Sequence, residues 1–229
     1  MKPHVIAGTV VSLALSGLIA VPAAVPAAAA TATTTAAYTM TDLGSVGYGV
    51  SLGFAINGGG EVVGRSYLAQ AQPATGCPPR HVCVTHPAVP FSWTAGIMTN
   101  LGTLGATLTK NTVCSYPDCF GEALAINRTG DIAGLSDGQA FLVHNGKMSS
   151  LGPGRATGIN DAGQIAGSTS CCHAFVISGG VRTTLPDLSN YGCCPGGISG
   201  ASGINNNGQI VGGSDNAQGQ EHAFLLTPG

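Results

Sequence analysis

Apolar and polar positions alternate along most of the chain beyond residue 50, and the alternation is broken at recurring places by Asn and Gly. Four segments align: "GFAINGGGEVVGRS" from Gly53, "EALAINRTGDIAGLS" from Glu122, "ATGINDAGQIAGS" from Ala156 and "ASGINNNGQIVGGS" from Ala201. Their common core is Ile-Asn-x-x-Gly-[Glu/Asp/Gln]-[Ile/Val]-[Val/Ala]-Gly, which predicts a β-hairpin. Asn at the first turn position bonds its own backbone, and Gly three residues later takes a left-handed conformation closed to most side chains. The expected turn pairs are Asn57 with Gly60, Asn127 with Gly130, Asn160 with Gly163 and Asn205 with Gly208. Asn and Asp oxygens also suit calcium, but this spacing does not build the twelve-residue calcium loop.

A third strand is predicted after each hairpin, at "PFSW" (90–93), "QAFLV" (139–143), "HAFVI" (173–177) and "HAFLL" (222–226). Period-two alternation puts Phe91, Phe141, Phe175 and Phe224 on the same face as Trp93, Val143, Ile177 and Leu226, a stripe that reads as core. Tight turns at 94–96, 145–146 and 178–180 lead into a fourth strand, "IMTNLG", "KMSSLG" or "VRTTLP". The last unit stops at that turn. A near-copy of the strand it lacks, "YTMTDLG", stands at residues 38–44. These complementary ends predict that residues 38–44 pair with the third strand of the last unit. The expected fold class is therefore all-β, a four-bladed β-propeller-like repeat domain closed by the N-terminal strand. A parallel β-helix also stacks short glycine-turn repeats, but has no use for complementary ends.

The hairpin followed by His173-Ala174-Phe175 or His222-Ala223-Phe224 resembles the HAF family of bacterial extracellular repeats, over about residues 38–229. Copy one departs with Val89-Pro90-Phe91, and copy two has Gln139 in place of His. The resemblance implies a secreted bacterial repeat protein and carries over no catalytic residue.

Export is also written at the start of the chain. Lys2, the apolar run "VIAGTVVSLALSGLIAV" and the small-residue stretch "AAAATA" predict a cleaved signal peptide over residues 1–32. A short linker, 33–37, then precedes the repeat domain, 38–229, and no membrane span is expected after cleavage. Removing Lys2 leaves seven basic against ten acidic residues. Charged residues are only 8% of the sequence, against about 25% in an average globular domain. The arginines at 65, 80, 128, 155 and 182 are scattered, so nucleic acid is not an expected partner.

Length variation enters between strands two and three (68–87) and between units (105–120, 187–200), connections that lie at one end of a meandering sheet. All eight cysteines fall there: Cys77, Cys83, Cys114, Cys119, Cys171, Cys172, Cys193 and Cys194. In an exported chain an even count predicts disulfides. The expected pairs are Cys77 with Cys83, Cys114 with Cys119, and Cys171/Cys172 crossed to Cys193/Cys194, with bridges between neighbouring loops, such as Cys83 to Cys114, as the alternative. Zinc held by these thiolates with His81, His86 or His173 would need reduced cysteines and lacks any Cys-x-x-Cys spacing. No metal or cofactor is expected.

The candidate contacts on the loop-bearing face are Tyr67, Tyr116 and Tyr191, with His173, His222 and Asp215 beside them. They suit a monomeric, non-catalytic extracellular module that binds a glycan, an envelope polymer or a protein. The competing expectation is a small carbohydrate-active or other hydrolytic enzyme using His173, His222 or Asp215, and a third is a structural spacer. No nucleophile, base and orienting group come together in the sequence. "GLSDG" (134–138) matches Gly-x-Ser-x-Gly, but the strand that follows it denies Ser136 the strand-to-helix elbow of a nucleophile. "NRT" (127–129) matches a glycosylation triplet inside a hairpin turn.

Overall fold

All four Asn-Gly turns close in the same way. In the first, Asn57 N–H donates to the Glu61 carbonyl (3.1 Å) and Gly60 N–H to the Asn57 carbonyl (3.1 Å). Asn57 Oδ1 accepts from Gly59 N–H and Glu61 N–H, both at 3.0 Å. The fourth residue must be left-handed, and Gly60, Gly130, Gly163 and Gly208 have φ of 79, 85, 74 and 74°. The computed structural model describes residues 38–68, 72–73, 84–85, 87–105, 120–169, 173–189 and 199–229, the two short pairs as backbone alone. By compactness the chain divides into Met1–Met40 and Thr41–Gly229. Residues 38–40 of the first part carry no strand, and Tyr38 and Met40 are exposed. The predicted leader and linker lie outside the described residues.

Thr41–Gly229 is all-β as described. Its elements are β1 (Ser51–Ile56), β2 (Val62–Tyr67), the short pair β3 (Gln72–Pro73) and β4 (Val84–Thr85), then β5 (Ala88–Thr94) and β6 (Ile97–Asn100). The second unit holds β7 (Gly121–Ile126), β8 (Ile132–Ser136), β9 (Gln139–His144) and β10 (Lys147–Pro153). The third holds β11 (Arg155–Ile159), β12 (Ile165–Ser168), β13 (Ala174–Ser178) and β14 (Val181–Thr184). The last holds β15 (Ser199–Ile204), β16 (Ile210–Asp215) and β17 (Glu221–Leu226). Each unit is its own antiparallel meander, in the order β1-β2-β5-β6, β7-β8-β9-β10, β11-β12-β13-β14 and β15-β16-β17. The sheets are antiparallel throughout, so the parallel β-helix does not describe this chain.

Inside each of the four larger sheets one device repeats. The first strand carries a bulge, at Gly53/Ala55, Ala123/Ala125, Ala156/Gly158 and Ala201/Gly203. It aims a carbonyl at the glycine of the second strand, and the phenylalanine of the third strand pairs directly across from that glycine. A Cβ on Gly134 would stand 2.0 Å from the Glu122 carbonyl oxygen and 2.7 Å from the Phe141 ring. Gly64, Gly167 and Gly212 meet the same two obstacles. The glycine therefore makes room for the ring that anchors the core.

Consecutive sheets stack face to face, and each contact is one apolar cluster. Val63 of the first sheet packs with Ala123, Ile132, Phe141 and Val143 of the second. Ala133 and Ala140 of the second pack with Ala156, Ile159, Ile165, Phe175 and Ile177 of the third. Ala166 and Ala174 of the third pack with Ala201 and Ile210 of the last, with Phe224 and Leu226 against them. The second and third sheets thus offer alanines downstream, against larger residues on the upstream faces of the third and last sheets.

The predicted ring closure is not formed. The last sheet has three strands, no sheet closes on another, and residues 38–44 carry no strand. Residues 42–46 are held instead at the start of the first unit. Gly44 N–H donates to Asp42 Oδ1 (2.9 Å), Ser51 Oγ donates to the Gly44 carbonyl (2.6 Å), and Val46 N–H donates to Ser66 Oγ (2.9 Å). These local bonds satisfy the segment without a strand partner.

Candidate functional site

The loop-bearing end carries a charged and aromatic cluster built by three consecutive units. Arg65 on β2 reaches Glu122, which begins β7 and is almost fully buried. Arg155, at the start of β11, donates from Nη2 to the other Glu122 oxygen at 3.2 Å. One buried carboxylate therefore ties units one, two and three together. The Arg65 guanidinium also lies 4.9 Å from the Phe120 ring, 5.3 Å from Tyr67 and 5.5 Å from Phe54. Its Nε is buried without a hydrogen-bond partner among the described residues. Two cations share one carboxylate here, and the rings hold the Arg65 guanidinium in place.

The opposite end is formed by the Asn-Gly turns, where the asparagines do a second job. Asn57 Nδ2 donates to the Asn127 carbonyl (3.3 Å), Asn127 Nδ2 to the Asn160 carbonyl (3.2 Å), and Asn160 Nδ2 to the Asn205 carbonyl (3.0 Å). A parallel run joins the next residues: Arg128 N–H donates to Asp161 Oδ1 and Asp161 N–H to Asn206 Oδ1, each at 2.9 Å. Asn127 and Asn160 are consequently buried polar groups with every bond satisfied.

Beside this ladder is a shallow cleft of about 430 Å³ lined by Thr129, Asp131, His144, Asn145 and Asp161, among others. His144 Nδ1 meets Asp131 Oδ1 at 2.6 Å. Burial by itself would raise the Asp131 pKa, but hydrogen bonds from His144, Asn127 and Thr129 outweigh it and hold the carboxyl below its ordinary value. Asp161 is also lowered, chiefly by the Arg128 backbone N–H.

The predicted contacts scatter. Tyr67 belongs to the Arg65 cluster, whereas Tyr116, Tyr191 and all eight cysteines, Cys77, Cys83, Cys114, Cys119, Cys171, Cys172, Cys193 and Cys194, lie outside the described residues. His173 precedes β13, where its backbone exchanges bonds with Thr169. His222 is on β17 of the next sheet, exposed, with Nε2 3.5 Å from Asn216 Nδ2. Asp215 ends β16, paired in register with Glu221. Ser136 is fully buried and bonded to Leu104 N–H and Asp137 Oδ2, and Asp137 and Gly138 form the two-residue hairpin turn after it. Among the described residues no three His, Cys, Asp or Glu side chains gather as metal ligands, and no helix is long and apolar enough to cross a membrane.

Sequence reasoning missed the Arg65, Glu122 and Arg155 cluster. Its signal was there: Glu122 and Arg155 occupy the same position in units two and three, where unit one has Leu52 and unit four Gly200. Opposite charges at one repeat position invite pairing across the stack. Comparison with protein-family models and with curated proteins finds no match to this chain.

Proposed function

We propose that the chain is a secreted, non-catalytic binding module of HAF-type repeats, whose loop-bearing end contacts an extracellular glycan, envelope polymer or protein. The observation that carries this reading is the Arg65 cluster: a guanidinium fixed by buried Glu122 and lined by Phe54, Tyr67 and Phe120. Flat apolar rings beside an immobilised cation suit the ring faces and polar edges of a sugar, and pre-ordering lowers what binding must spend on fixing side chains. Disulfides among the loop cysteines would add to that ordering in an oxidising compartment.

A hydrolytic role for His173, His222 and Asp215 draws no such support, because His173 and His222 stand on separate sheets and His222 meets an amide. A glycan array and a pull-down on purified cell-envelope polysaccharide test the proposal. Tyr67→Ala should weaken retention about tenfold while the melting temperature is kept. Equal retention by the variant and the parent protein would contradict it.

A further inference from the structure

The stack ends on two unlike faces, and each matches a face that is covered elsewhere. Downstream positions Val63, Ala133 and Ala166 on the second strands are 0% exposed, yet their counterpart Val211 is 49% exposed. Leu225 beside it on β17 is 63% exposed. At the other end Ile56 is 66% exposed, while its counterpart Ile159 in the third unit is 8% exposed. Val62 and Trp93 are likewise half-buried where Ile165 and Ile177 are buried. The asparagine ladder is open at its last member: Asn205 Nδ2 keeps the bond to the side chain four residues on, Gln209 Oε1, as Asn127 does to Asp131 and Asn160 to Gln164, but among the described residues it makes no bond to a further unit.

The segment ahead of the first unit fits this gap. In the intact units the fourth strand runs into the next sheet through "NLG" or "SLG", where Gly102 N–H donates to Asn100 Oδ1 (2.9 Å) and Gly152 N–H to Ser150 Oγ (3.1 Å). Gly44 and Asp42 make the same bond. Leu104 N–H donates to Ser136 Oγ on β8, the second strand of unit two, as Val46 N–H does to Ser66 Oγ on β2, the second strand of unit one. Residues 42–46 are thus built as the exit of a fourth strand whose sheet is not the first. The last sheet has three strands, and among the described residues no strand pairs with its β17 edge.

We propose that a second copy of this chain covers the last sheet, laying its residues 38–44 along β17 as the fourth strand and its first sheet against Val211 and Leu225. The occupant is chosen by the faces themselves: exposed Val211 and Leu225 where other units' downstream residues are covered, half-buried Val62 and Trp93 where the third unit's upstream residues are buried, a one-way amide ladder and a three-stranded last sheet all fit the start of this same sequence. Such a head-to-tail contact uses different patches on the two partners, and two copies joined reciprocally close into a ring with no bare edge. The register follows from the intact sheets, where Trp93 faces Met98, Ser92 faces Thr99 and Phe91 faces Asn100. Met40 then faces Leu226 of the second copy, Thr41 faces Leu225, and Asp42 faces Phe224.

Photo-cross-linking with benzoylphenylalanine placed at position 41 of the full chain tests this, together with sedimentation equilibrium. The expected result is a particle of two chains and a cross-linked product of twice the chain mass on a reducing gel, joined to residues 222–226. Leu225→Glu, at a position exposed in the single chain, should reduce that product about tenfold or more while circular dichroism and the melting transition of the chain persist. A one-chain particle cross-linked to its own residues 222–226 would overturn the proposal in favour of closure within one molecule. A one-chain particle with no product at β17 would overturn both.

Discussion

At the scale of single residues, the fold depends on positions where a side chain is forbidden as much as on those where one is buried. Gly134 faces a bulge carbonyl at 2.0 Å and the Phe141 ring at 2.7 Å from where a Cβ would stand. Gly134→Ala should therefore destabilise by about 3 kcal/mol, through overpacking rather than turn strain, and urea denaturation measures it. Asp131 makes a prediction about pH. Its carboxyl is held below the ordinary 3.8 by His144, Asn127 and Thr129 against the opposing effect of burial. A lowered folded-state pKa gives a stabilisation that is present above 3.8 and is lost as pH falls through the lower folded value. The stability gap between the protein and Asp131→Asn should accordingly narrow on acidification below 3.8, as read by thermal melts across an acid series. A gap that widened there would be inconsistent with the geometry at His144.

At the scale of elements, the hairpins and the meander order of each unit were legible, because turn chemistry and period-two alternation recur with every hairpin, whereas the short β3–β4 pair and the three-stranded last sheet were not. The bulge in each first strand was not legible: Phe54, Leu124, Thr157 and Ser202 share no residue type, and the extra residue is specified by the glycine and phenylalanine of the neighbouring strands. The ladder was hidden for another reason. An asparagine that caps a turn and one that caps a turn and bridges two sheets look identical in sequence. Asn216 shows the difference, since "NAQGQ" (216–220) forms the same turn, with Oδ1 accepting from Gln218 and Gln220 N–H, at the other end of the last sheet and outside the ladder. Asn160→Ala should thus cost about 1–2 kcal/mol more than Asn216→Ala, because it also removes the bond to the Asn205 carbonyl. Chemical denaturation of the two variants side by side makes the comparison.

At the scale of the molecule, the sheets are coupled in sequence order, through one apolar cluster per contact and through the amide ladder. The likeness of "YTMTDLG" to the fourth strands predicted that it would complete the unit ending "HAFLLTPG". The ring expected from that match is not formed within the chain, and residues 42–46 are satisfied locally instead. The cluster around Arg65 was legible only at Tyr67, because it is assembled from three units and no single repeat contains it. The coupling of neighbouring sheets through their turns is best measured by hydrogen exchange of the asparagine side-chain amides, resolved by nuclear magnetic resonance. The Nδ2 protons of Asn127 and Asn160, buried and bonded to the next unit, should exchange far more slowly than those of half-buried Asn216, which bond within their own turn. Equal exchange at all three would contradict a ladder that joins the repeats.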